Sequence, residues 1–359
     1  MSLSIEEETR HMDSTVRRGT IDALIKGRRS RAHHRRLVIL TLSAVVLSMV
    51  LLSLTVGKTN YSLVEVWQVI LGQEVPGASF TVGRLRLPRT VMALIAGMSF
   101  GLAGVCFQTM LRNPLASPDV IGISTGASAA AAFAIIVLSA SDSVVSVLAI
   151  SAGLIVALLV YLLSYKGGAA GTRLILVGIG IAAMLESLIS WTLTKAGQWD
   201  LQETLRWLTG SLNGMTWPQV LPALLAVLIL APILLLQSKN LGSLQLGDDT
   251  AAALGVRVER TRLVIIVAAV GLIAFATAAC GPIAFVAFLS GPIASRLMGP
   301  RGSLLIPSAL VGSVLVLVAD FAGQYLLGTR FPVGVITGVL GAPYLVYLII
   351  RTNKAGGSL

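Results

Sequence analysis

The chain has 359 residues, of which 55% are hydrophobic and only 12% charged, with a mean hydropathy of +0.86. Soluble domains carry about 25% charged residues, so an ordinary water-soluble fold is excluded. The net charge of +11 invites a nucleic-acid reading, but Arg17, Arg18, Arg28, Arg29, Arg31, Arg35 and Arg36 stop where the first long apolar run begins; that is where an orientation signal or a contact with anionic lipid belongs, and no nucleic-acid partner is expected.

Residues 1–36 read as a charged cytoplasmic extension, because a cleavable signal would need a short apolar segment followed by a small-residue site. Ten apolar runs follow, each close to the roughly 20 residues that cross a bilayer as a helix. They lie at 37–57, 90–111, 119–140, 143–164, 173–195, 217–236, 262–280, 283–298, 304–322 and 333–350. Ten crossings put both termini on one side. With the N-terminus inside, the cytoplasmic pieces are 1–36, 112–118, 165–172, 237–261, 299–303 and 351–359, and most of the 27 Lys and Arg residues lie in or beside them. The expected organisation is a membrane domain over 37–351 and a short cytoplasmic tail over 352–359.

Three connecting pieces have structure of their own. Residues 58–89 end on Arg84, Arg86, Pro88 and Arg89. Residues 198–216 space Trp199, Leu201, Leu205, Trp207 and Leu208 as a short amphipathic helix at the outer interface. Residues 241–261 predict a short helix capped by Asp248 or Asp249 and ended by Gly255, with a second beginning at 256–260.

Within the spans, Gly97/Gly101, Gly122/Gly126 and Gly334/Gly338 are G-x-x-x-G pairs that permit close helix packing. Pro282 and Pro292 bracket the eighth run and Pro332 and Pro343 the tenth, so freed carbonyls need partners inside the protein or in a wet cavity, as in transporters with broken helices. Cys106 and Cys280 sit in apolar runs without metal-ligand spacing, and His11, His33 and His34 all lie in the extension. Gly57-Lys58-Thr59 lacks the earlier glycine of a phosphate loop, since Leu52 stands there. Gly178-Ile179-Gly180-Ile181-Ala182-Ala183 fits a dinucleotide fingerprint, but it lies within a span and Asp200 falls across the bilayer from the cytosol. No catalytic constellation is found. Two carboxylates lie in the spans: Glu186, which either faces a pathway or bonds a neighbouring helix, and Asp320, near the outer boundary.

The stretch RLPRTVMALIAGMSFGLAGVCFQTMLRNPLASPDVIGISTGAS (residues 86–128) closely resembles the FecCD-like permeases of ABC importers for iron-siderophores, haem and vitamin B12. The resemblance continues through SLQLGDDTAAALGVRVERTR, GPIAFVAFLSGPIASRLMG and FPVGVITGVLGAPYLVYLI, covers about 40–352, and is most similar to the ferric-enterobactin type, with GSLNGMTW after the fifth span.

It implies an all-α bundle of ten transmembrane helices in the type II importer architecture, set in the cytoplasmic (inner) membrane. The chain would be non-catalytic and would pair with a second permease, either a copy or a paralogue. Two cytoplasmic ATPases would use ATP and Mg, an extracytoplasmic binding protein would deliver a ferric siderophore, and no cofactor would be bound here. Haem or cobalamin is the alternative cargo. A secondary transporter or channel using Glu186 is a further alternative, disfavoured by the 241–261 segment, which such a protein does not need.

By resemblance, Leu246, Gly247, Asp248, Asp249, Leu254, Gly255, Val258 and Glu259 couple to the ATPases. Arg86 and Arg89, with Arg84 and Arg330 beside them, dock acidic residues of the binding protein, although Arg84 and Arg330 could equally snorkel to lipid phosphate. Gly178, Gly180, Met184, Glu186, Gly334, Thr337, Gly338 and Gly341 line the pathway. One departure stands out: where the family has Pro-His-Ile-x-Arg, this chain has Pro292-Ile293-Ala294-Ser295-Arg296, and the histidine is missing.

Overall fold

A computed structural model describes residues 2–164, 171–299 and 302–354. Most of the expected loop at 165–172 and residues 355–359 of the tail lie outside the described residues. The helices are α1 (Ser2–Thr55), α2 (Leu63–Ile70), α3 (Leu87–Met110), α4 (Ile123–Ile136), α5 (Asp142–Ser164), α6 (Gly171–Leu193), α7 (Gln198–Leu208), α8 (Trp217–Leu236), α9 (Ser238–Leu244), α10 (Asp248–Ala253), α11 (Val258–Cys280), α12 (Val286–Met298), α13 (Leu305–Tyr325) and α14 (Val333–Lys354). A π-helical stretch, Ser79–Arg86, leads into α3, and a 3-10 turn, Pro118–Ile121, leads into α4. No strand occurs among the described residues.

Seven helices among the described residues are long and apolar enough to cross a membrane: α1 from Gly27, α3 with its π-helical lead, α5, α6, α8, α11 and α13. The apolar parts of α4, α12 and α14 are shorter. Each of the ten lies on an expected apolar run. At α1 the helix begins well before that run, carrying the charged extension and the first span as one rod, because no proline interrupts residues 2–55.

α3 is the centre of the bundle, buried along nearly its whole length, with Met92, Ala96, Phe100, Ala103, Cys106 and Phe107 in the core. Its most extensive partner is α13. A Cβ added at Gly97 would collide with the Gly312 carbonyl, and one at Gly101 with the Ser308 carbonyl. In lipid, where no hydrophobic effect drives one helix against another, such close backbone contact supplies the packing energy. Ser313 Oγ adds a bond to the Leu94 carbonyl at 3.2 Å.

The freed carbonyl expected at Pro292 is found, and it has a partner. Pro292 cannot donate to Phe288 four residues earlier. Instead Gln108 Nε2, from α3, donates to the Phe288 carbonyl at 3.0 Å. The far end of α12 is tied to α14 by Arg296, whose guanidinium lies over the rings of Tyr344 (5.5 Å) and Tyr347 (5.1 Å). Cys106 and Cys280 are both buried free thiols.

Backbones also converge where α7 ends, α11 ends and α14 begins. Ser211 N donates to the Cys280 carbonyl at 2.7 Å and Gly334 N to the Gly210 carbonyl at 3.1 Å. A Cβ at Gly334 would strike the Thr209 carbonyl, and one at Gly281 the Trp207 carbonyl. This knot anchors the amphipathic helix α7 to the bundle.

Candidate functional site

A cavity of about 760 Å³ opens between α6, α14, the α3–α4 connection and the start of α12. Its polar wall comes from the 3-10 turn and α4, where Ser124 and Ser128 are four residues apart and so share one helix face. Asp119 belongs to this wall and is already engaged: its carboxylate accepts from Ser124 Oγ at 2.6 Å and Ser117 Oγ at 3.2 Å. The opposite wall is apolar, built from Ile283, Phe285, Phe288 and Leu345. Phe285 has φ +65°, which is costly for a bulky side chain and persists only where the surroundings enforce it. Its ring lies over Gly341, where an added Cβ would collide with it, and meets Phe288 edge to face at 6.4 Å. Glu186 and Ile189 enter from α6.

The pathway candidates separate into three groups. Glu186 and Gly334 line the cavity, and Gly341 seats its aromatic wall. Gly180, Gly338 and Met184 lie on open faces of α6 and α14; an added Cβ at either glycine meets nothing within 4 Å, and Met184 is 73% exposed. Gly178 and Thr337 are buried. The Gly178 carbonyl lies where Gly122 packs, and Thr337 Oγ1 donates to the Gly334 carbonyl of its own helix at 3.1 Å. These two are packing positions in this chain. The sequence reading missed Phe285, Ser124, Thr125, Ser128 and Asp119. Only the Ser124/Ser128 spacing was available as a signal; Phe285 enters through a backbone turn that no pattern announces.

A second cavity, about 640 Å³, lies where α1 ends, α3 begins and α13 ends, and its rim carries Lys58, Arg84, Arg206 and Arg330, all exposed. Arg86 corrects its expected role. It is buried, with Nη1 donating to the Leu54 (2.9 Å) and Thr55 (3.1 Å) carbonyls and Nη2 to the Thr59 carbonyl, and its guanidinium lies 5.3 Å from the Tyr61 ring. A guanidinium spent on the carbonyls that end α1 braces the end of that helix from within. Arg89 is likewise engaged: its fork grips Asp320, with Nη2–Oδ1 at 2.7 Å and Nε–Oδ2 at 3.0 Å, and Nη1 donates to Asn213 Oδ1. Asp320 is thereby an ion-pair partner within the bundle, not an isolated interfacial group.

The third site is the tip formed by α9, α10 and the first turn of α11. The expected cap is corrected here. Gly247, at φ +105°, takes the N-cap position with no side-chain cap, and Asp248 begins the helix. Asp248 instead pairs with Arg262 of α11 at 2.9 Å, with Glu259 3.7 Å from the same guanidinium. The expected second helix is the opening turn of α11 itself, because Val258 already belongs to that long helix. Gly255 (φ +85°) reverses the chain between α10 and α11. Leu246 and Leu254 are 63% and 62% exposed beside exposed Asp249, an apolar knuckle on a braced tip. Among the described residues no group of three or more His, Cys, Asp or Glu is arranged to hold a metal ion.

Comparison with known proteins gives these three sites a common context. The ferric enterobactin transport system permease of Escherichia coli (strain K12) is 38% identical over 301 residues, covering 83% of this chain and 91% of that protein. The iron(3+)-hydroxamate import system permease of Bacillus subtilis (strain 168) is 34% identical, covering 84% and 93%. The vitamin B12 import system permease of Vibrio cholerae (serotype O1, El Tor Inaba N16961) is 32% identical, covering 88% and 94%. A solved metal-chelate type ABC transporter in an inward-facing conformation superposes with a TM-score of 0.79 at 27% identity, over 88% of this chain and 99% of that one. The model of the FecCD transport family matches residues 44–351, and the chain belongs to that family.

Proposed function

We propose that this chain is the non-catalytic permease subunit of an ATP-driven importer, passing a ferric siderophore across the cytoplasmic membrane. In this reading all ten apolar helices cross the bilayer, with both termini in the cytoplasm. The three shorter ones, α4, α12 and α14, do so as parts of broken segments, as α12 does at the Pro292 carbonyl that Gln108 satisfies. The cavity beside α6 and α14 is half of a passage that a second permease completes. The exposed basic rim of Lys58, Arg84, Arg206 and Arg330 receives acidic residues of a substrate-binding protein. ATP and Mg belong to two partner ATPases. Cobalamin is the second reading, favoured by the 32% identical vitamin B12 permease.

The observation that carries the proposal is the cytoplasmic tip. Leu246 and Leu254 stand exposed on a turn that the Asp248–Arg262 pair braces against α11. An apolar knuckle on a stiff support can pass rigid-body motion into a bundle, whereas a floppy loop would absorb it. A secondary transporter driven through Glu186 has no use for such a tip. Replacing residues 248–255 with a flexible Gly/Ser linker should leave the protein inserted but abolish ATPase co-purification and uptake. Full ATP-dependent uptake by that variant would overturn the proposal.

A further inference from the structure

Resting on that reading, we propose that the passage selects against polyanionic chelates and conducts neutral or cationic ones, with Glu186 as the specificity-determining residue. The cavity's described lining contains two ionisable side chains, Asp119 and Glu186, and no Lys, Arg or His. Asp119 is held by Ser117 and Ser124. The Glu186 carboxylate has no hydrogen-bond or ion-pair partner among the described residues, and it faces the cavity across from Phe285 and Phe288. Glu186 is exposed beside Ile189, and the neighbouring wall of Leu208, Ile283 and Phe288 offers no cation, so a like charge passing close to the carboxylate is repelled. A ferric tris-catecholate carries several negative charges and meets no compensating cation here. A ferric tris-hydroxamate is neutral, or cationic when its backbone bears a free amine, and meets only hydroxyls, aromatic faces and a carboxylate that suits it.

The basic groups of the outer rim do not alter this balance inside. The two cavities share no lining residue, and exposed charges there are screened within about 10 Å at ordinary ionic strength. A cavity of about 760 Å³ is within the range of pockets that hold whole small molecules, so a cargo lodged in it lies close to Glu186.

The test is uptake of radio-iron by the assembled transporter in a strain lacking the native gene, complemented with the wild-type chain or with Glu186→Gln. Three probes are used: a neutral ferric trihydroxamate, a cationic ferric trihydroxamate and a ferric tris-catecholate. The wild type should accumulate the hydroxamates in preference to the catecholate. Glu186→Gln should raise the catecholate-to-hydroxamate ratio roughly tenfold, the factor expected for removing one charge a few ångströms from a multiply charged ligand. The binding protein is the same in both strains, so a changed ratio reports on the permease. A Glu186→Asp control, which keeps the charge, should hold the wild-type ratio, and a variant that merely folds poorly lowers uptake of all three probes together without moving the ratio. Catecholate uptake equal to hydroxamate uptake, with a ratio unmoved by Glu186→Gln, overturns the charge filter while leaving the permease reading intact. No ATP-dependent uptake of any iron chelate overturns the permease reading itself, and the filter with it.

Discussion

The Arg89–Asp320 pair offers a quantitative check on how the start of α3 is held to the end of α13. The two side chains are only 14% and 6% exposed, and the contact is bidentate, with Nε–Oδ1 at 3.1 Å, Nε–Oδ2 at 3.0 Å and Nη2–Oδ1 at 2.7 Å. Gln324 Nε2 satisfies Asp320 further at 2.9 Å, and Asn213 accepts from the remaining arm of Arg89. Removing one partner strands a buried charge, which costs about 3–5 kcal/mol; the residual exposure of Arg89 places Asp320→Leu near the lower end, about 3 kcal/mol. Replacing both with apolar residues of similar volume removes the stranded charge as well as the bond, and such swaps are often close to neutral. Arg89→Met/Asp320→Leu should therefore be more stable than either single variant, with a coupling energy of about 2–3 kcal/mol in the double-mutant cycle. The assay is equilibrium unfolding in mixed detergent micelles, following tryptophan fluorescence. Strictly additive losses would refute the reasoning, because they would mean that the two charges do not depend on each other.

Gln108→Leu should cost about 1–3 kcal/mol by leaving the Phe288 carbonyl unpaired, and much less in a Pro292→Ala background, where the helix regains its own donor; the same micelle titration reads both. Gly97→Leu should prevent α3 and α13 from closing and abolish stable expression, whereas Gly180→Leu, on an open face of α6, should express normally; detergent-extracted yield and size-exclusion profile separate the two. Charge reversal at Arg84 and Arg330 together should weaken binding-protein affinity measurably on a biosensor while leaving thermal stability in place. Arg86→Ala should instead lower stability, and its protein, once folded, should dock normally. Leu246→Glu/Leu254→Glu should lose ATPase co-purification without loss of insertion, since both side chains are already exposed.

Helix positions were readable where hydropathy along the chain is set by lipid and not by neighbours; the run expected at 217–236 coincides with α8 and that at 143–164 with α5 to within a residue, whereas that at 119–140 overruns α4 at both ends. The G-x-x-x-G signal was readable for Gly97/Gly101, whose close approach is a property of the glycines themselves. Gly338 shows its limit, since the same pattern leaves open space around it. Residue roles that depend on a distant partner were not readable. Arg86 and Arg89 share one short motif, yet one ends on carbonyls near 55 and the other on Asp320, and only the folded chain brings those groups within reach. Asp248 looked like a cap because capping is local, but Arg262 on the next helix competes for it. Phe285 was missed for the same reason: its place in the cavity follows from a left-handed backbone that sets its ring against Gly341 of α14.

The most direct test of the account is ATP-dependent uptake of a labelled ferric siderophore, set against labelled cobalamin, in cells with and without this gene. The account predicts that the ferric siderophore accumulates only when the gene is present, that depleting ATP stops it, and that cobalamin uptake is unchanged. Siderophore uptake that persists without the gene, or a loss confined to cobalamin, would contradict it.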